Sequence, residues 1–135
     1  TDQIETNTTH TDHAHEHASD HTHEVPTNAP LLEGNGPKDW EEQFGPSVAI
    51  FSALANPLRL AIAHHLMHRP HSVSELHTCL GISQPLASHH LRILREAHVI
   101  DREQQGRTTI YRLKDDHISH IVVDVYEHTR EHYAD

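Results

Sequence analysis

Apolar residues recur at helical spacing in the first part of the chain. One series consists of Trp40, Phe44, Val48, Phe51, Leu54 and Ala55. Gly45-Pro46 interrupts this series, so we expect the helix to bend or restart there. Asn56-Pro57 has the form of an N-cap followed by proline at the first helical position. It predicts a second helix, to about Met67, whose inner positions are Leu58, Ala61, Ile62, His65 and Leu66.

Two short helices follow, separated by Gly81-Ile82-Ser83. Ser72-Val73-Ser74-Glu75 has capping-box spacing and opens the first of them, which ends at Gly81. Ser83 is placed to cap the second, whose predicted inner positions are Leu86, Ala87, His90, Leu91 and Leu94. This spacing predicts a helix-turn-helix in which the second helix reads DNA.

The pattern then changes to that of a hairpin. Residues 100–104 and 108–113 are predicted strands, joined by a turn at Gln105-Gly106-Arg107. Asp115 is a predicted N-cap of a last helix that runs to about His132, with an apolar stripe of Ile118, Ile121, Val122 and Val125. The predicted fold is therefore mainly α with a β-hairpin wing, a winged helix-turn-helix with an added C-terminal helix.

Residues 1–36 are polar, acidic and rich in histidine, and we predict that they form a disordered leader because they offer little apolar surface to bury. Residues 37–135 are the predicted DNA-binding and dimerisation domain. Six of the 18 histidines lie in the leader, at His10, His13, His15, His17, His21 and His23. Such a segment can collect or buffer metal ions, or it can be a solvated leader with no specific role.

The net charge of −10 does not exclude DNA binding, because the charge is unevenly distributed. Residues 1–43 hold ten acidic residues and one basic residue, whereas residues 56–114 hold eight basic and four acidic residues. The middle of the chain is therefore the part that suits a phosphate backbone. The candidate DNA contacts are the outward positions of the reading helix, together with the hairpin tip: Gln84, Ser88, His89, Arg92, Arg95 and Arg107.

Other classes of protein fit less well. Cys79 is the single cysteine, which excludes an intramolecular disulfide, and we expect it to be a small core residue. No apolar run approaches the length of a membrane span and no signal peptide is evident, so we expect a cytoplasmic protein without a membrane partner. There is no nucleophile motif, and a catalytic zinc needs three protein ligands in a cleft, so we do not expect an enzyme.

From about Phe51 to His132 the sequence resembles the ArsR/SmtB family of metal-sensing repressors. The matching stretches are SALANPLRLAI, SQPLASHHLRILREAHVI and GRTTIYRL. The resemblance implies a homodimer held by its first and last helices, binding operator DNA at an imperfect inverted repeat. It also implies release from DNA when metal binds, which derepresses a metal efflux or sequestration gene.

The last helix carries candidate metal ligands at both ends. His117 and His128 are eleven residues apart, about three turns, so they share a face but lie about 16 Å apart along the axis. Antiparallel helices of a dimer would bring Asp115 and His117 close to His128 and Glu131 of the second copy. This pattern is similar to the C-terminal-helix site of the zinc-responsive branch, and two imidazoles with two carboxylates favour Zn²⁺.

Several alternatives stay open. Recruitment of His120, His132 or a leader histidine would raise the coordination number and favour Ni²⁺ or Co²⁺, whereas we expect these two histidines and Asp124 to stay outside the first coordination shell. Ser72-Val73-Ser74 stands where other members carry Cys-x-Cys, which argues against soft ions such as cadmium, lead or arsenite. A metal-buffering protein without specific DNA binding is a different class. A winged-helix regulator that responds to an organic or redox ligand is another.

Overall fold

The computed structural model describes residues 36–133. The predicted leader lies outside this range, apart from Gly36, so the proposed boundary between leader and domain remains a prediction. The elements, in chain order, are α1 (Pro37–Leu54), α2 (Pro57–His68), β1 (His71–Ser72), α3 (Val73–Leu80), α4 (Gln84–Glu96), β2 (Ile100–Gln105), β3 (Thr108–Leu113) and α5 (Asp116–Tyr133). The described part is a winged helix-turn-helix, as the sequence predicted.

Each predicted helix cap is present. The Asn56 side chain accepts a hydrogen bond from the backbone N–H of Arg59 at 3.0 Å, and Pro57 follows at the first helical position. At the start of α3, Ser72 Oγ accepts from the Glu75 N–H while Glu75 Oε1 accepts from the Ser72 N–H. Such bonds satisfy N–H groups that have no partner within the helix, so the ends of these helices are set locally.

The turn between α3 and α4 is closed by two backbone hydrogen bonds. The N–H of Ile82 donates to the carbonyl of His77, and that of Gly81 donates to Thr78. Gly81 has φ +66, a left-handed conformation that glycine adopts without a Cβ penalty. This Schellman turn sets the direction of α4, the predicted reading helix.

The wing is an antiparallel hairpin in a three-stranded sheet of order β1-β3-β2. The hairpin register runs from Ile100 opposite Leu113 to Gln105 opposite Thr108, which makes β2 one residue longer than predicted. β1 was not predicted at all. Its two residues pair with Tyr111 and Ile110 of β3.

The core gathers one face of every helix against the base of the wing. Its buried residues are Ala53, Leu54, Ile62, Ala63, Leu66, Leu76, Leu91, Leu94, Val99, Ile100, Ile118 and Val122. α2 lies at its centre and contacts each of the other helices, together with β3. Burial of this set is the main stabilising contribution to the fold.

Three predictions of local structure were wrong. Of the bend or restart expected at Gly45-Pro46, the restart does not occur, since α1 is continuous across Pro46; Gly45 has no Cβ to clash with the proline ring. Cys79 is exposed rather than in the core, because it lies about 60° around α3 from Leu76, on the side away from Val73 and Leu80, which pack against the core. Leu86 is 40% exposed, since it lies about 100° from Ala87 at the edge of the buried face of α4.

The apolar series of α1 is exposed within the single chain. Leu54 of this series packs into the core and Ala55 is exposed, whereas the first four members are among the most exposed large apolar side chains: Trp40 48%, Phe44 43%, Val48 60% and Phe51 58%. On α5, Val125 and Tyr126 are also about half exposed. Contiguous exposed apolar residues of this kind mark an interaction surface.

Candidate DNA interface and metal-ligand helix

The reading helix presents a polar outer face. Gln84, Ser88, His89 and Arg92 are exposed, and Arg95 is partly buried. The helix starts at Ser83, whose hydroxyl accepts from the Leu86 N–H at 3.2 Å. Gln84 and Ser88 therefore lie in the first turns, where short polar side chains can reach base edges in a major groove.

The wing carries a basic residue at its tip. Arg107 is exposed in the two-residue turn that follows Gln105, and Gly106 before it has φ +64. Elsewhere in the hairpin, Lys114 pairs with Asp101 at 3.1 Å and Arg112 pairs with Glu103. Within residues 36–133, the guanidinium groups of Arg92, Arg95 and Arg107 form no ion pair, so these cations are available to phosphates.

One polar contact between the reading helix and α2 was missed by sequence reasoning. Arg59 of α2 donates through Nη1 to His90 Nδ1 of α4 at 3.1 Å, and its Nε donates to the carbonyl of Ala53 at 2.5 Å. Burial, and then the charges of Arg59 and His89, lower the pKa of His90. The sequence did contain a signal for this contact: His90 is a histidine at a predicted inward position, and a buried imidazole needs a polar partner.

At the start of α5, two of the predicted ligands lie close together. Asp115 Oδ1 is 3.7 Å from His117 Nδ1, and the two side chains are 51% and 90% exposed. The same carboxylate oxygen accepts from the Ile118 N–H at 3.2 Å, which confirms the predicted N-cap. Two donor atoms on one tetrahedral zinc lie about 3.3–3.5 Å apart, given bonds of about 2.0–2.2 Å. This half of the predicted set therefore fits a shared ion after a small side-chain rotation.

The other two predicted ligands, His128 and Glu131, are exposed near the end of α5. His117 and His128 are separated by about 16 Å along the helix axis, and the other distances between the two pairs are longer. The His128 ring also contacts that of His132, with centres 4.4 Å apart. Within residues 36–133 of one chain, no three His, Cys, Asp or Glu side chains are arranged to hold a metal ion. The four predicted ligands therefore do not form one site within a single chain.

In the described range, no single helix is long and apolar enough to cross a membrane. Only α1 and α2 taken together pass by length and composition, and they are bent by 97° relative to each other.

Comparison with known proteins identifies a matching protein family. Residues 56–102 match the model of the bacterial regulatory protein, arsR family. The chain is 38% identical over 117 residues to the HTH-type transcriptional repressor SmtB of Mycobacterium tuberculosis, covering 87% of this chain and 82% of that protein. The matched length thus includes the helix-turn-helix, the wing and flanking sequence.

Solved structures show the same fold. The transcriptional regulator HlyU of Vibrio vulnificus superposes with a TM-score of 0.57 at 30% identity, over 67% of this chain and 94% of that one. The possible ArsR-family regulator Mb0332 of Mycobacterium bovis, described as a homodimeric winged helix-turn-helix DNA-binding domain, gives 0.67 at 22% identity, over 76% and 94%.

Proposed function

Since this chain belongs to the ArsR/SmtB family of bacterial regulatory proteins, we propose that it is a cytoplasmic, zinc-responsive repressor that binds operator DNA as a metal-free dimer. Membership makes the chain a transcription regulator and not an enzyme, as the sequence predicted. The zinc, the dimer and the individual site residues are our proposal.

The DNA-binding part of the proposal is supported by the outer face of α4 and the wing. Gln84, Ser88 and His89 are assigned to base edges or nearby phosphates, and Arg92, Arg95 and Arg107 to the phosphate backbone. Within the described residues, the guanidinium groups of these three arginines form no ion pair with a carboxylate. The acidic residues, in contrast, are concentrated outside residues 56–114.

A dimer through α1 and α5 is supported by exposed apolar side chains. Four on α1 and two in the middle of α5 are between 43% and 60% exposed in the single chain. Burial of such side chains against a second copy removes apolar surface from water. In a symmetric dimer each of these contacts would occur twice.

The observation that carries the metal proposal is the division of donors between the two ends of α5. Asp115 and His117 approach within 3.7 Å at one end, and His128 and Glu131 are exposed at the other. Antiparallel α5 helices in a dimer would complete two equivalent sets of two imidazoles and two carboxylates, which suits Zn²⁺. Bound metal would supply a bridge between the two helices.

The mechanism we propose is linkage between α5 and α4. α5 packs on α2, and α2 holds α4 through the hydrogen bond from Arg59 to His90. A change in the angle between the α5 helices would therefore alter the spacing of the two reading helices. Couplings of this type are about 1–3 kcal/mol, or about 5- to 150-fold in affinity, and operator DNA must weaken metal binding by the same factor.

A second candidate is a nickel or cobalt sensor, favoured by the contact between His128 and His132. Their ring centres are 4.4 Å apart. Two imidazoles at adjacent positions of an octahedral ion would have centres about 4.5 Å apart, given metal–nitrogen bonds of about 2.0–2.1 Å. Recruitment of His132 would therefore raise the coordination number.

The test is fluorescence anisotropy of the full chain on its upstream DNA at constant salt, titrated with zinc, nickel and cobalt. We expect zinc to release the wild type at the lowest free concentration and His117→Ala/His128→Ala to stay bound. The matched control is His120→Ala/His132→Ala, which removes two other histidines from the same helix and should respond like the wild type.

Each alternative gives a different result. If the control variant loses its response and nickel acts at lower concentration than zinc, the second candidate replaces the first. If the His117/His128 variant is released normally, the ligands lie elsewhere. If the wild type shows no preference for its upstream DNA over unrelated DNA, a metal-buffering role is favoured instead.

A further inference from the structure

A second group of histidines lies on α2, and the function proposed above does not use it. His64, His65, His68 and His71 fall within eight residues, at the end of α2 and in β1. None of them is near the candidate ligands in sequence. Burial, and then the neighbouring imidazoles, lower the pKa of His65. The ring centres of His65 and His71 are 6.1 Å apart and those of His64 and His68 are 5.3 Å apart, so the four rings form a cluster of two close pairs.

Within the cluster, His64 and His68 are spaced i and i+4 on one face of α2. Their ring centres are 5.3 Å apart, with the planes at 70°. Two imidazoles that bind one tetrahedral ion, with metal–nitrogen bonds of about 2.0–2.1 Å, have ring centres about 5.2 Å apart. The same i, i+4 arrangement of two histidines on a helix supplies zinc ligands in helical metalloprotease motifs.

The ring nitrogens of this pair are not engaged elsewhere in the described part of the chain. Within residues 36–133, the histidine rings that form hydrogen bonds are those of His71, His77 and His90. His64 is partly buried and His68 is exposed, so an ion can approach from solvent. On the other side, His64 faces Tyr126 of α5 at 5.5 Å between ring centres and lines a cavity of about 410 Å³ between α2 and α5.

We propose that His64 and His68 form a second metal site, which takes a divalent transition-metal ion of the zinc, nickel and copper class. The pair supplies two imidazole ligands, and water supplies the rest, because no third His, Cys, Asp or Glu of the described residues completes the site. The site lies on α2 and needs no second chain. It shares no ligand with the candidate site on α5.

The test uses the full chain with His117→Ala/His128→Ala, which removes both imidazoles from the four candidate α5 ligands. Zinc is titrated at pH 7.5, because zinc binds the neutral form of imidazole. Side-chain ¹H–¹⁵N spectra follow each histidine ring separately. We expect the ring signals of His64 and His68 to shift together, and to saturate together, as zinc is added.

Calorimetry on two further variants gives the stoichiometry. Adding His64→Gln/His68→Gln should lower zinc binding by one ion per chain, because glutamine keeps the helix but provides no imidazole. The matched control, His89→Gln/His98→Gln, also removes two histidines and should leave the stoichiometry unchanged. The proposal is overturned if the His64 and His68 rings keep their metal-free shifts while other histidines respond, or if both variants lose the same amount of zinc.

Discussion

Replacement of Phe51 by alanine tests whether the apolar face of α1 is a dimer interface. Phe51 is 58% exposed in the single chain, although it lies two residues before the buried Ala53. The side chain therefore contributes little to the core of its own chain. We expect Phe51→Ala to leave the fold intact and to weaken self-association.

The size of the effect follows from the exposed area. A phenylalanine buries about 200 Å² when fully covered, so a 58% exposed ring leaves about 115 Å² to be covered. At about 25 cal/mol per Å², this area corresponds to about 3 kcal/mol per chain, or about 6 kcal/mol for the two chains, as an upper limit. One third of that limit, about 2 kcal/mol, would raise the dimer dissociation constant about thirtyfold.

Sedimentation velocity over a series of protein concentrations measures that constant. Leu86→Ala is the matched control, since Leu86 is 40% exposed but lies on α4; its dissociation constant should equal that of the wild type. Circular dichroism checks that both variants stay folded. The reasoning is refuted if Phe51→Ala dimerises as tightly as the wild type, or if the wild type is monomeric throughout the series.

Three further predictions concern α4, the turn that follows it and the wing. The pKa of His90 lies below its ordinary value of 6.5. As pH drops below about 6.5 the unfolded chain therefore takes up a proton before the folded chain does, and the free energy of unfolding should fall. His90→Gln keeps an acceptor for Arg59 and should reduce that fall, measured by urea unfolding at pH 7.5 and 5.5. His98 has φ +63, so His98→Gly should stabilise the domain by about 1 kcal/mol in the same assay. Arg107→Ala should reduce the slope of log K against log[salt] for DNA by about 1.

Their controls separate the proposed causes from general effects. The pH prediction fails if His90→Gln loses as much free energy of unfolding as the wild type between the two pH values. His98→Ala keeps the Cβ in a left-handed conformation and should not be stabilised, so equal gains for glycine and alanine would contradict the backbone explanation. Arg69→Ala is the control for Arg107, because Arg69 pairs with Glu75 and its loss should leave the salt slope unchanged.

Local signals in the sequence determined most of the element boundaries. The caps at Asn56, Ser72 and Ser83, and the glycine turn at Gly81, each act within about four residues. These residues set where a helix begins or ends, because backbone groups at a helix end lack partners within the helix and nearby groups can satisfy them. The order of helices, hairpin and helix could therefore be predicted without tertiary information, and the family resemblance agreed with it.

Side-chain environments depended on the tertiary structure. Leu86 and Cys79 looked apolar enough for the core, but each helix buries only one face, and these residues lie outside the buried arc. β1 exists only because β3 passes beside it, so two residues of sequence could not predict it. The hydrogen bond from Arg59 to His90 likewise joins residues 31 positions apart.

The distances among the candidate metal ligands also divide into those that the sequence determines and those that the tertiary structure decides. Asp115 was predicted as the N-cap just before α5 and His117 lies in its first turn, so the sequence alone indicated that both lie at one end of the helix; in the structure Asp115 Oδ1 is 3.7 Å from His117 Nδ1. The rigid rise of α5 keeps His128 about 16 Å from His117 and Glu131 farther still, so these distances are also set by the sequence. The pairing of His64 with Tyr126, in contrast, was decided by the packing of α2 on α5, because only the tertiary structure brings those two helices together.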